Sequence, residues 1–450
     1  MKPVLTSLLL AISSLTIAHA TEPKNIIMIV GDGMGPAYTT GYRYFNDDPS
    51  TEKVENTVFD RHLVGMSSTY PSDEHGTVTD SAAGATALAT GTKTYNGAIS
   101  VDNDKKPLET ILEKAKLLGK KTGVVVTSQI NHATPAAYLS HNESRRNYNE
   151  IADSYIDNGI KADLLLGGGW QYFIREDRNL VAEFKQAGFH YLDTYAQLDS
   201  IPKDKPILGL FADVGLPWAI DDSNKHRLSS MTKAATHYLE NEKGYFLLIE
   251  ASQVDWAGHG NDITSAMAEM DDLAKTLEFL EEYVKSHPET IVVLTADHST
   301  GGLTLGADKK YQWHPKILKQ MTMSPEKIAK TLAKEDMTVD KLTQLFPFTF
   351  SDDEYSALVA SKTDAQLTLT QYLAMTEKQQ KGQRKPSVEY ALYKSIIHII
   401  DKRTTTGWTT GGHTGIDVPV FAIGAHNGLF NGYQDNTDIA KKLISLLSVQ

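Results

Sequence analysis

The sequence predicts an α/β fold: a mostly parallel central sheet with helices on both faces, carrying a helical insertion. Two observations support that expectation. Strand-length apolar runs alternate with amphipathic helical stretches, and polar motifs recur where the runs end. A strand covered on both faces has no polar side, so it reads as a continuous run of aliphatic and β-branched residues. In such sheets ligands bind outside the carboxyl ends of the strands.

The elements follow in order. Asn25-Ile26-Ile27-Met28-Ile29-Val30 precedes a glycine-rich turn, Gly31-Asp32-Gly33-Met34-Gly35. The run 121–126 precedes a polar loop, and 245–250 ends on the carboxylate Glu250. The run 291–295 leads into Asp297-His298, and 418–423 follows Gly411-Gly412-His413-Thr414. Between them the 3.6-residue period predicts helices over 108–118, 148–158, 228–240, 263–283 and 439–447. Gly167-Gly168-Gly169 follows another apolar run; without a Lys-Ser/Thr ending it reads as a tight turn after a strand.

From 309 to 403 the texture changes to Lys, Gln, Thr and Met, with helical patterns near 325–334, 351–360, 364–375 and 388–400. The segment lies between two polar motifs, so it is expected to be an insertion on the site side, serving as a lid, a rim or a dimer contact.

Residues 1–20 read as a secretory signal peptide: Lys2, an apolar stretch from Val4 to Ile17, and the small-x-small site Ala18-His19-Ala20. Serines and a threonine break the apolar stretch, and it is shorter than the roughly 20 residues of a membrane span. The expected mature chain is therefore 21–450, exported to the periplasm or secreted, without a membrane anchor. It has no cysteine, so its stability must come from the core and from bound ions rather than disulfides. A length of 450 residues at 41% hydrophobic content suffices for a large core. The net charge of -12 argues against a nucleic-acid-binding surface.

Thr79-Asp80-Ser81-Ala82-Ala83-Gly84-Ala85-Thr86 sets one hydroxyl beside one carboxylate at the start of a small-residue helix. Unpaired N–H groups and the helix dipole favour an anion there. Alone, Ser81 reads as an N-cap and nothing more. With Asp32, Asp255-x-x-x-His259, Asp297-His298 and His413, the chain has enough carboxylates and imidazoles for two or three metal ions around one nucleophile. That pattern reads as a hydrolase with phosphate on Ser81.

Six segments resemble the alkaline phosphatase family in register: 30–35, 79–83, His132-Ala133-Thr134-Pro135-Ala136, Glu250-Ala251-Ser252-Gln253-Val254-Asp255, 295–298 and 412–415. The resemblance spans most of the chain and lapses only over 309–403. It implies a zinc- and magnesium-dependent phosphomonoesterase working through a phosphoserine at Ser81, with two Zn2+ and one Mg2+ per chain. Asp255, His259 and His413 resemble the first zinc site. Asp32, Asp297 and His298 resemble the second, and Asp32, Thr134 and Glu250 the magnesium site. Arg145, thirteen residues after His132, matches the arginine that pairs two phosphate oxygens; the adjacent Arg146 is the alternative. His132 and Trp256 stand where the best-known bacterial pattern has Asp and Lys, a combination resembling cold-adapted members. That change implies weaker magnesium binding and easier release of phosphate. The family is commonly homodimeric. Alternatives are a phosphodiesterase of the same superfamily and a non-catalytic periplasmic phosphate-binding protein. The other histidines read as structural; His314, in Gln312-Trp313-His314-Pro315, lies nearest a polar motif.

Overall fold

The computed structural model describes residues 22–72 and 76–447; the expected signal peptide lies outside the described residues. A ten-stranded sheet forms the centre. Its order is Gly432–Asp435, Leu63–Ser68, Val418–Gly424, Thr290–Thr295, Asn25–Val30, Tyr245–Glu250, Lys121–Gln129, Leu164–Gly168, Ile207–Leu210 and His190–Leu192. Every pairing is parallel except the two made by Val418–Gly424.

The strand Asn25–Val30 shows why these runs have no polar alternation. Ile27 and Ile29 enter one buried layer, and Ile26, Met28 and Val30 enter the other. The first layer is completed by the helices Pro36–Asn46, Arg227–Leu239 and Ile263–Ser286, the second by Ile111–Leu117, Tyr148–Asp157 and Asn436–Leu447. Each face therefore supplies apolar burial, the main drive for assembly.

Register then gathers the motifs. Val30 is level with Glu250 on one neighbour and with Thr295 on the other, and Val126 is level with Glu250. Asp32, Asp297 and Glu250 consequently emerge together at the carboxyl ends of three adjacent inner strands.

Within 309–403 the helices Pro325–Lys334 and Val388–Thr404 form as the periodicity predicts. The expected pair over 351–360 and 364–375 is instead one helix, Asp352–Leu373. The intervening Ser361-Lys362-Thr363 is polar, but it contains neither proline nor glycine to stop the helix. Only Leu358 of this helix is buried. Among the described residues no helix is long and apolar enough to cross a membrane.

Candidate active site

The helix Ser81–Thr90 begins against the loop carrying Asp297. Its small residues make that approach possible: a β-carbon at Gly84 would stand 2.9 Å from Asp297 O. Asp80 is the N-cap, its side chain accepting from Ala83 N at 3.0 Å. Ser81 is therefore not the cap, and its Oγ lies 3.1 Å from His298 Nε2. The turn bearing Asp32 meets the same loop through Gly33, whose φ is +72° and whose N–H donates to Asp297 Oδ1 at 3.2 Å. A β-carbon there would be 2.8 Å from Asp255 Cα, so the site closes only around glycine.

Three sets of ligating atoms lie side by side. His298 Nε2 is 3.4 Å from both Asp32 Oδ1 and Asp297 Oδ2. His259 Nε2 is 3.4 Å from Asp255 Oδ2 and 3.2 Å from His413 Nε2, and His413 Nε2 is 3.7 Å from Asp255 Oδ1. Asp255 and His259 share a face of the helix Gln253–Gly260, as their spacing of four suggests. Asp32, His132 and Glu250 form a third close group; Asp255 also groups with His298 and His413. Two ligands about 2.1 Å from one ion at tetrahedral angles stand roughly 3.4 Å apart, so the first two sets have the spacing of a shared cation.

Each imidazole is turned by its other nitrogen. His413 Nδ1 meets Thr79 O at 2.8 Å and His259 Nδ1 meets Gly411 O at 2.7 Å. A carbonyl only accepts, so Nδ1 carries the proton in both rings and the Nε2 lone pairs face one another. That opposition is unfavourable unless a positive charge lies between them.

The carboxylates make the same point. Both oxygens of Asp32, with Asp297 Oδ2, Glu250 Oε1 and Thr134 Oγ1, are buried and have no hydrogen-bond partner among the described residues. Thr134 therefore does not cap the helix it opens. Burial, then Asp297, Asp255 and Glu250, pushes the Asp32 carboxyl far up from its ordinary range. Burial raises Asp297 strongly and brings Glu250 up to about 7. Buried charge without a partner is costly, so the donor set fits divalent cations: nitrogen with oxygen for zinc, oxygen alone for magnesium.

Arg145 donates to Asp80 Oδ2 at 3.1 Å, and its other amino group lies 3.4 Å from His132 Nε2. Burial opposes its charge, but Asp80 outweighs that and holds the guanidinium above its usual value. Arg146 is exposed. His132 is buried, and burial followed by Arg145 lowers its ring to about 3, so it is neutral. Trp256 stands edge-on to it, ring centroids 5.8 Å apart. His314 is exposed, its ring beside Gln312 at 3.2 Å. Gly169 turns the chain after the strand Leu164–Gly168, with φ +129°.

Sequence reasoning missed three participants. Thr300 donates to Asp255 Oδ1 and lies 3.2 Å from His298 Nδ1, linking two ligand sets; its only signal was its place two residues after His298. Ser128 Oγ donates to Glu250 Oε2 at 3.2 Å. Asp80 stands beside Ser81 in the sequence, but nothing there marks it as the holder of Arg145.

An α/β sheet with a serine at a helix start, an arginine nearby and clustered carboxylates and imidazoles at its strand ends fits the class of hydrolases of anionic esters. The alkaline phosphatase family model matches residues 23–449. Alkaline phosphatase 3 of Bacillus subtilis is 45% identical over 432 residues, covering 95% of this chain and 89% of that protein. The repressible alkaline phosphatase of Saccharomyces cerevisiae is 31% identical, covering 95% and 82%. A cold-active alkaline phosphatase from a psychrophilic Shewanella has a crystal structure 50% identical, with a TM-score of 0.85, covering 94% and 99%. The chain belongs to the alkaline phosphatase family and is an enzyme of that metal-dependent family.

Proposed function

We propose that this enzyme hydrolyses phosphomonoesters through a covalent phosphoserine at Ser81, releasing inorganic phosphate and an alcohol. The observation that carries the reading is Ser81 Oγ standing at a helix start, 3.1 Å from His298 Nε2, over carboxylate oxygens that have no partner of their own. Asp255, His259 and His413 would hold one Zn2+, Asp32, Asp297 and His298 a second, and Asp32, Thr134 and Glu250 one Mg2+. When bound, such ions supply positive charge for the phosphate oxygens and the leaving alkoxide, and lower the pKa of a nearby hydroxyl.

The chain's own groups do the rest. The N-terminus of the helix Ser81–Thr90 favours the anion. Arg145 swings its fork from Asp80 to two non-bridging oxygens, a pairing that suits the dianionic end of a monoester. Ser81 Oγ attacks phosphorus in line, the P–O bond to the alcohol breaks, and the alcohol leaves with a proton. Water then attacks the same phosphorus, the bond to Oγ breaks, and the hydroxyl is restored. Two in-line displacements give retention of configuration. Neutral His132 and Trp256 provide neither the carboxylate nor the cation of the better-known bacterial pattern. Weaker magnesium binding and easier phosphate release follow. A histidine-to-aspartate variant of the alkaline phosphatase from the Antarctic bacterium TAB5 was solved with Mg bound in its M3 site, which supports testing His132→Asp here.

The same reading makes 21–450 an exported, periplasmic or secreted catalytic domain acting as a homodimer, with 309–403 inserted as rim, lid or dimer contact. The test is hydrolysis of p-nitrophenyl phosphate from pH 6 to 11, with metal content measured on the same samples. We expect activity rising at alkaline pH with about two zinc and one magnesium per chain. Full metal occupancy without monoester turnover, or activity only on bis-p-nitrophenyl phosphate, overturns it.

A further inference from the structure

Beyond Arg145 and His132, a set of aromatic side chains lies next to the site. Trp256 meets the edge of His132 with planes at 75°. Its six-membered ring lies over Gly215, where a β-carbon would come within 2.4 Å of it. The loop around Gly215 is bonded to the turn after the strand Leu164–Gly168: Ala212 O accepts from the N–H groups of Gly169 and Trp170, and Asp213 O from that of Gln171. That turn carries Tyr172, stacked on Tyr148 with ring centroids 5.1 Å apart and planes at 28°. Tyr148 follows Arg145 by three residues, and its carbonyl accepts from Asn131 Nδ2 at 2.9 Å, beside His132. The contacts thus return to their starting point, so Trp256, Tyr172 and Tyr148 belong to one chain of contacts that begins at His132 and ends beside it.

All three rings are half-buried. Among the described residues, neither tyrosine hydroxyl nor the indole N–H has a hydrogen-bond partner. An aromatic wall beside a phosphate clamp suits a flat ligand that stacks. The exposed Asp213 adds negative charge at this rim, which favours a neutral ring system over further phosphates.

We propose that Tyr148, Tyr172 and Trp256 form a subsite for a planar, base-bearing leaving group, so that nucleoside 5′-monophosphates are preferred to phosphomonoesters of bare sugars. The inference rests on the phosphomonoesterase reading above. Stacking of a base on an aromatic side chain is commonly worth about tenfold or more in affinity and tolerates different bases.

The decisive pair of substrates is adenosine 5′-monophosphate and D-ribose 5-phosphate, which release the same kind of primary alkoxide and differ in the base. The metal-loaded enzyme should prefer the nucleotide by about tenfold in kcat/KM. Tyr148→Leu and Tyr172→Leu should each shrink that ratio towards one while leaving the ribose 5-phosphate rate within about twofold; Tyr148→Phe should keep it. Adenosine should inhibit ribose 5-phosphate hydrolysis by the wild type and lose that effect in the leucine variants. Because Tyr148→Phe and wild-type inhibition need no ring removed, the test survives a leucine variant that fails to fold. Equal losses on both substrates would mean that Tyr148 only positions Arg145, and would overturn the subsite. Hydrolysis of both substrates at a ratio near one overturns the subsite alone, whereas hydrolysis of neither overturns the phosphomonoesterase reading with it.

Discussion

Two groups of buried charge lie almost side by side, separated in the chain only by the step from Gln253 to Asp255, and they are built on opposite terms. In one, Arg227 is wholly buried and donates to Asp272 Oδ2 at 2.8 Å, to both oxygens of Glu269 at 2.8 and 2.9 Å, and to Gln253 Oε1 at 2.5 Å. Burial opposes its charge, but Glu269 and Asp272 hold the guanidinium well above its usual value. In the other, Asp32, Asp297, Asp255 and Glu250 converge with neutral imidazoles, and several of their oxygens are unpaired. The first group contains its own cation and reads as architecture. The second leaves carboxylate oxygens without a hydrogen-bond partner among the described residues and reads as a candidate ion site. Buried acidity is therefore uninformative until the partners are counted; the unpaired lone pairs distinguish function from scaffold.

The largest effect that would sharpen this contrast is at Ser81, which touches only the uncompensated group. Ser81→Ala should lower kcat for p-nitrophenyl phosphate on the order of a thousandfold or more, with metal content and melting temperature essentially retained. A variant that stays active would place the nucleophile elsewhere.

Arg227→Met attacks the other group. It leaves Glu269 and Asp272 buried without their cation, and should cost about 3–5 kcal/mol in denaturant unfolding, whether or not zinc and magnesium are present. Rescue by added metal would erase the distinction between the two groups.

Asp32→Asn is next in size and should reverse sign with conditions. In chelated protein it removes a carboxyl that burial forces to keep its proton at a cost to folding, and should stabilise by roughly 1–2 kcal/mol. In metal-loaded protein it removes a shared ligand, and should destabilise and lower metal content. The same sign in both conditions would break the comparison.

The legibility of the chain follows the same division. The central strands were readable because a strand covered on two faces leaves a continuous apolar signature; Asn25–Val30 and Tyr245–Glu250 fall where the runs predicted. Peripheral strands such as His190–Leu192 and Gly432–Asp435 are short and partly exposed, and carry no such run. The clustering of Asp, His and Glu was legible because few other reasons put those residues at consecutive strand ends. Thr300 and Asp80 were not recognised in their roles, since one hydroxyl or carboxylate among many acquires a role only through a partner hundreds or tens of residues away. The Arg227 group was invisible for that reason too: its members lie on three helices, and only packing shows that the arginine sits between two carboxylates.

The smallest expected effect is in the pH dependence of stability. Burial pushes the Glu250 carboxyl from an ordinary value of 4.5 up to about 7. Between those values the folded chelated protein keeps a proton that the unfolded chain has lost. Stability due to this group is then fully present below about 4.5 and is lost as pH rises through about 7. Bound cations should invert the slope, because protons then compete with metal for the same oxygens, and stability should fall as pH drops. Melting temperatures from pH 4 to 8, with chelator and with zinc plus magnesium, should run in opposite directions, and Glu250→Gln should flatten both. The flattening is modest, since Asp32 and Asp297 are raised by the same burial and contribute to the same slope. Parallel slopes in the two conditions would mean that these carboxylates are compensated from within, as Glu269 and Asp272 are, and that the site's missing charge is not a metal's.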